Sequence, residues 1–148
     1  MDNKILIMGL PGTGKTTLTN ALAPLLGAVV FNADEVRKNI NNHLGFSVAD
    51  RIEQARRMGW LCDQVTKTGG IAIADFICPT AETRDAFGAC ALIWVDRIKQ
   101  GRYADTNKLF TAPQSYSLRV TTEESPEYWA HKISGLWQPK KLANSQRM

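Results

Sequence analysis

Short apolar runs alternate along the chain with longer stretches whose apolar residues recur at three- and four-residue spacing, the arrangement of parallel strands covered by helices. Lys4 to Met8 is too short for a helix and stops at Gly9, so it predicts a central strand. Lys15 to Leu26 has helical spacing, with Leu18, Leu22 and Leu25 on one stripe. A second strand is predicted over Ala28 to Phe31 and a short helix over Asp34 to His43, with a turn at Gly45. Ser47 to Thr68 is the longest periodic segment: Ser47 is placed to cap it, Asp50 follows three residues on, and Gly69-Gly70 closes it. Ile71 to Asp75 and Ala91 to Val95 read as strands with a short helix, Ala81 to Phe87, between them. Ser117 to Val120 is a fifth strand and Pro126 to Trp137 a C-terminal helix. The expected fold is α/β, a five-stranded, mostly parallel sheet flanked by helices in three layers.

With 148 residues, 44% apolar and 22% charged, the chain has the makeup of one globular domain, expected over residues 1–138. Residues 139–148 form a polar tail in which Lys140, Lys141 and Arg147 belong either to a frayed terminus or to a nucleic-acid arm. No run of apolar residues is long enough to span a membrane, and the start Met1-Asp2-Asn3-Lys4 does not lead into a secretory signal, so a cytoplasmic protein without a membrane partner is expected. Cys62, Cys78 and Cys90 are odd in number and lack metal-site spacing, which leaves them as buried thiols. The net charge of +4 suits an anionic partner but equally a solvated surface. A polar connection at about 96–114 carries Arg97, Lys99, Arg102 and Lys108, and a connection of that length reads as a functional lid or a short helix with loops.

Chemistry enters at Gly9-Leu10-Pro11-Gly12-Thr13-Gly14-Lys15-Thr16, which matches the eight-residue phosphate-loop pattern and lies between a predicted strand and a predicted helix. Glycines let successive N–H groups converge on a β-phosphate at the positive end of the helix. Lys15 adds a charge for the β- and γ-phosphates, and the Thr16 hydroxyl is a magnesium ligand. Gly9, Gly12, Thr13, Gly14, Lys15, Thr16 and Thr17 are therefore the candidate nucleotide site. The motif leaves the reaction open among kinases, switches and motors. No Asn-Lys-x-Asp segment is present and the chain is short for a motor, so a small phosphotransferase is the best class.

Several further motifs, in order, give the chain its family likeness. Asn32-Ala33-Asp34-Glu35-Val36-Arg37, Leu44-Gly45-Phe46-Ser47, Asp50-Arg51, Glu53-Gln54-Ala55-Arg56-Arg57 and Ile77-Cys78-Pro79 resemble the ordered motifs of the adenylylsulfate kinases, from Lys4 to about Arg84. These are phosphate-loop kinases that act on the 3′-hydroxyl of adenosine 5′-phosphosulfate. The resemblance implies ATP and Mg2+ as cofactors and a small-molecule hydroxyl acceptor, with adenylylsulfate leading. It puts Asp34 near the attacking hydroxyl, Arg37 and Arg51 on the acceptor's anion, and Phe46 against the acceptor base. Residue chemistry agrees: a carboxylate at a strand end can orient or deprotonate a hydroxyl, and arginine forks hold phosphate or sulfate at two points. Without the resemblance, Asp34 is also a candidate helix cap, Arg51 a partner of Asp50 or Glu53, and Phe46 a core residue.

Asp75 closes a strand at the sheet's carboxyl edge, where the family usually has a small hydroxyl residue. It is either a magnesium ligand acting through water, a hydroxyl-activating base, or a strand-end turn residue. After Arg84 the family's lid is shortened here, and only Lys108-Leu109-Phe110-Thr111 echoes its end. Arg102 is assigned to the nucleotide, and Ile77, Lys108 and Phe110 to the acceptor, both lid cations approaching the phosphates on closure. The shorter lid keeps a second enzyme reading open, a kinase acting on a nucleoside, modified base or polynucleotide hydroxyl, so a nucleic-acid partner is admissible though not favoured. A reading of another class is a module that senses or slowly hydrolyses ATP and acts through a surface near Trp129 and Trp137, although tryptophans at that spacing are more often core. A homodimer is open.

Overall fold

Each apolar run of five residues or fewer becomes a strand, and each periodic stretch a helix. The computed structural model describes residues 1–97, 109–121 and 124–137. Along the chain these form β1 (Lys4–Met8), α1 (Lys15–Leu26), β2 (Val29–Asn32), α2 (Ala33–Asn39), α3 (Val48–Thr66), β3 (Ala72–Asp75), α4 (Ala81–Phe87), β4 (Ala91–Val95), β5 (Leu118–Val120) and α5 (Pro126–Ser134). The strands lie in the order β2-β3-β1-β4-β5, and all four pairings are parallel.

The alternation of side chains along a strand divides the core in two. Ile5 and Ile7 point to one face, where they meet Leu18 and Leu22 of α1 and Trp129 and Ile133 of α5. Leu6 and Met8 point to the other, against Met58 and Cys62 of α3 and Phe87 of α4. All four β1 residues are fully buried, and burying an aliphatic side chain of this size contributes about 1.5–3 kcal/mol. The Lys4 ammonium, 5% exposed, fastens the lower edge by donating to the Phe87 carbonyl at 2.6 Å and pairing with Asp63 at 2.9 Å. Because every strand runs the same way, Met8, Asn32, Asp75 and Val95 end at one edge of the sheet, which is where ligands bind in open parallel sheets.

Several boundaries differ from those the pattern predicts. Leu25 is 38% exposed, and Leu26 is buried in its place, because α1 closes through Gly27 in the left-handed region, whose N–H turns back on Ala23 and Pro24. The helix predicted to reach His43 ends at Asn39, since Asn41 leaves it to donate to Gln54 Oε1 at 2.9 Å. The last helix stops at Ser134, with Gly135 closing it. Trp129 and Trp137 are each 7% exposed and belong to the core, so they form no partner surface. Of the three thiols, Cys62 and Cys78 are buried while Cys90 is partly open. Burial pushes the first two up to about 12 and Cys90 to about 11, which keeps all three protonated and chemically quiet at neutral pH. Among the described residues no helix is long and apolar enough to cross a membrane.

Candidate active site

The phosphate loop joins β1 to α1, and its glycines answer to specific constraints. A Cβ on Gly9, whose φ is +152°, would stand 2.4 Å from the Val95 carbonyl oxygen, so β4 can end against the loop only if residue 9 is glycine. Gly14 caps α1 at φ 97° with no side-chain cap; the first-turn amides are therefore not taken up by a local side chain. Thr13 Oγ1 and Lys15 Nζ each donate to the Leu10 carbonyl at 2.9 Å, bracing the loop from within. Thr16 Oγ1 donates to Asp75 Oδ2 at 2.8 Å, and Asn32 Nδ2 donates to the same oxygen at 3.1 Å. Asp75 is 2% exposed; as a buried carboxylate with two donors at the sheet's ligand edge it is more than a strand-end turn residue.

A second cluster is built by α2, the turn after it and the start of α3. Asn32, and not Asp34, caps α2, its Oδ1 accepting the amides of Asp34 and Glu35 at 3.0 and 3.2 Å. Asp34 is thereby left on the first turn with an exposed carboxylate. Arg37 donates to the carbonyls of Leu44 and Gly45 at 3.2 and 2.8 Å, and Arg51 to that of Phe46 at 2.9 Å. Both guanidiniums stand over the Phe46 ring, at 4.4 and 5.4 Å from its centroid. Phe46 is 66% exposed, which removes the core reading of that residue. Burial lowers the Arg37 pKa most, the like charge of Arg51 adds to this, and Asp34 and Asp50 oppose it. Two cations held this close form a ready seat for an anion.

The turn that presents these groups is itself anchored. Gly45 N–H donates to Asp50 Oδ2 at 2.9 Å, and the fully buried pair Asn41 and Gln54 ties it to α3. Arg57 donates to Asn41 Oδ1 at 2.9 Å and to Glu53 at 2.6 Å. Glu53 also binds Arg56, and these two arginines pull its carboxyl down to about 2.

Both clusters face one cavity of about 900 Å³. Gly12, Gly14, Lys15, Thr16 and Thr17 line it from the loop side, Asp34 and Arg37 from α2, Phe46 from the turn after it, Arg51 from α3, and Asp75 and Ile77 from the end of β3. Gly9 and Thr13 brace the loop from behind and do not line the cavity. Phe110 does not line it either; the ring packs on the α3 and α4 core, with the Arg84 guanidinium 5.6 Å from its centroid. Arg102 and Lys108, together with most of the expected lid, lie outside the described residues. Sequence reasoning assigned no site role to Asn32 or Gln54, and named Arg97 only as one cation of the expected lid. Gln54 lines the cavity, and its signal was a polar residue on the inner face of an amphipathic helix. Arg97 Nη1 lies 3.3 Å from where a Cβ on Gly14 would stand, which sets this cation over the loop, where the closeness of β4 to β1 brings it.

Comparison with known proteins agrees with this geometry. The family model described as adenylylsulphate kinase matches residues 1–93. The adenylyl-sulfate kinase of Gloeothece citriformis is 40% identical over 86 residues, covering 55% of this chain and 49% of that protein. The bifunctional enzyme NodQ of Azospirillum brasilense is 31% identical over 168 residues, covering 93% of this chain and 27% of that protein. The chain thus spans about half the length, or less, of the curated relatives it matches. Among solved structures, the Mycobacterium tuberculosis APS kinase CysC, in complex with AMPPNP and APS, superposes with a TM-score of 0.78 at 23% identity over 91% of this chain and 96% of that one. A hexameric APS kinase from Thiobacillus denitrificans gives 0.71 at 28% identity, covering 88% of this chain and 27% of that one. With the phosphate loop inside the matched segment and that segment more than half of the residues, this chain belongs to the adenylylsulphate kinase family.

Proposed function

We propose that residues 1–138 act as one kinase domain that transfers the γ-phosphoryl group of ATP to the hydroxyl of adenylylsulfate. The observation that carries this reading is the single cavity in which a phosphate cradle faces a carboxylate and two arginines stacked on one aromatic ring. The loop amides and Lys15 bind the β- and γ-phosphates. Arg37 and Arg51 hold the acceptor's phosphosulfate anion, and the exposed face of Phe46 takes its base. Asp34 accepts the proton of the attacking hydroxyl as the new O–P bond forms and the bond to the ADP oxygen breaks. Arg97 adds positive charge on the nucleotide side of the loop.

The donor set suits Mg2+. Thr16 supplies a hydroxyl and Asp75 a buried carboxylate 2.8 Å from it. A hard cation that keeps most of its waters and leans on phosphate oxygens needs no more than this. When bound it neutralises charge on the transferred group; Thr16 would ligate it directly and Asp75 through water.

The test is a transfer assay with ATP labelled in the γ-phosphate, run over a panel of adenylylsulfate, nucleosides and oligonucleotide ends. Label on adenylylsulfate, dependent on Mg2+, is the expected result. Label on a nucleoside or an oligonucleotide would replace the acceptor, and label released only as free phosphate would replace the kinase by a hydrolysing module. A homodimer, which the sequence leaves open, would sediment at twice the chain mass.

A further inference from the structure

Asn32 ends β2 directly opposite Asp75, which ends β3. Its side-chain amide is used at both ends. Oδ1 accepts the Asp34 and Glu35 amides, and Nδ2 donates to Asp75 Oδ2 at 3.1 Å. These partners fix the orientation of the amide, because a backbone N–H needs an acceptor and a carboxylate needs a donor. The same Asp75 oxygen accepts the Thr16 hydroxyl. A single side chain therefore connects the start of α1, the end of β3 and the first turn of α2. The first two belong to the phosphate and metal side; the third carries Asp34, and the same helix carries Arg37 in its last turn, both on the acceptor side. Capping α2 alone would not require the donor end, since serine or aspartate caps a helix as well as asparagine does.

We propose that Asn32 is a positioning residue for phosphoryl transfer. Through its amide it holds the Asp75 carboxylate and the first turn of α2 at one separation, so that the group bound at the phosphate loop and the hydroxyl beside Asp34 meet at reacting distance. The inference rests on the kinase reading above. Its magnitude follows from geometry, as a misplacement of about 1 Å between reacting groups costs roughly 10²-fold in rate.

Asn32→Ser separates the two uses of the amide. Serine keeps a cap oxygen and adds no charge, but it is too short to span to Asp75. The expected result is a melting temperature within about 3 °C of the parent, a kcat for adenylylsulfate lower by roughly 30- to 100-fold, and a KM for ATP changed by less than about twofold. A second measurement needs no activity. Asp75→Ala releases the Nδ2 end, so hydrogen exchange at the Asp34 and Glu35 amides should quicken by about tenfold; in the Asn32→Ser background the same substitution should change it by less than about twofold. The proposal is overturned if Asn32→Ser retains kcat, if kcat, KM and melting temperature all deteriorate together, or if those amides ignore the loss of Asp75. Should the parent transfer nothing to any acceptor, the kinase reading fails by itself, and the exchange cycle still decides whether Asn32 couples Asp75 to α2.

Discussion

Lys15→Ala is expected to reduce phosphoryl transfer by on the order of 10³-fold or more. The side chain is 9% exposed and sits at the first turn of α1 in the wall of the cavity, with Nζ 2.9 Å from the Leu10 carbonyl. From there its ammonium reaches the phosphate cradle, where it meets the negative charge that spreads over the transferred group. Alanine is a good helix former and leaves α1 intact, so the loss should appear without a matching loss of fold. Nucleotide affinity should weaken as well, because a point charge on the β- and γ-phosphates favours the ground state and the transition state together. Steady-state kinetics beside a thermal melt checks this. A variant that keeps a tenth of the parent's turnover would remove Lys15 from the chemistry.

Asp34→Asn should behave differently. It substitutes an exposed residue on the first turn of α2, whose cap is supplied by Asn32, so the helix keeps its cap bonds. What is lost is the ability to accept a proton from the acceptor hydroxyl, a contribution of roughly 10²–10⁴-fold. Turnover should fall by that order while the KM for ATP stays nearly unchanged, since the loop residues that grip the nucleotide are untouched. Binding of the ATP analogue, followed by calorimetry, distinguishes the roles. If analogue affinity drops as far as turnover does, Asp34 belongs to the nucleotide side and not to the acceptor.

Much of the fold was legible because its signals are local. Ser47 caps α3 as its spacing predicts, with Oγ accepting the Asp50 amide at 3.1 Å, and β1, α4 and β4 have the predicted bounds. The phosphate loop is contiguous, so its glycines, Lys15 and Thr16 could be read directly. Errors arose where two local signals competed. Asn32 and Asp34 are both good caps, and only the strand's end decides that the first of them takes the role. Leu25 fits the apolar stripe, but the turn through Gly27 hands the inward position to Leu26.

The acceptor side was legible only through family resemblance, because Arg37, Phe46 and Arg51 converge through carbonyl bonds that have no periodic signature. Least visible were contacts set by strand order. Asp75 meets Thr16 across 59 residues and Asn32 across 43, and no local pattern reports which strands become neighbours.

The most direct measurement is a crystal structure of the protein with Mg2+, a non-hydrolysable ATP analogue and adenylylsulfate. The account predicts the analogue's β- and γ-phosphates within the amides of residues 12–16 and beside Lys15, with the acceptor's 3′-hydroxyl against Asp34, its anion on Arg37 and Arg51, and its base on Phe46. A nucleotide bound outside the loop, or an acceptor seated away from α2, would contradict it.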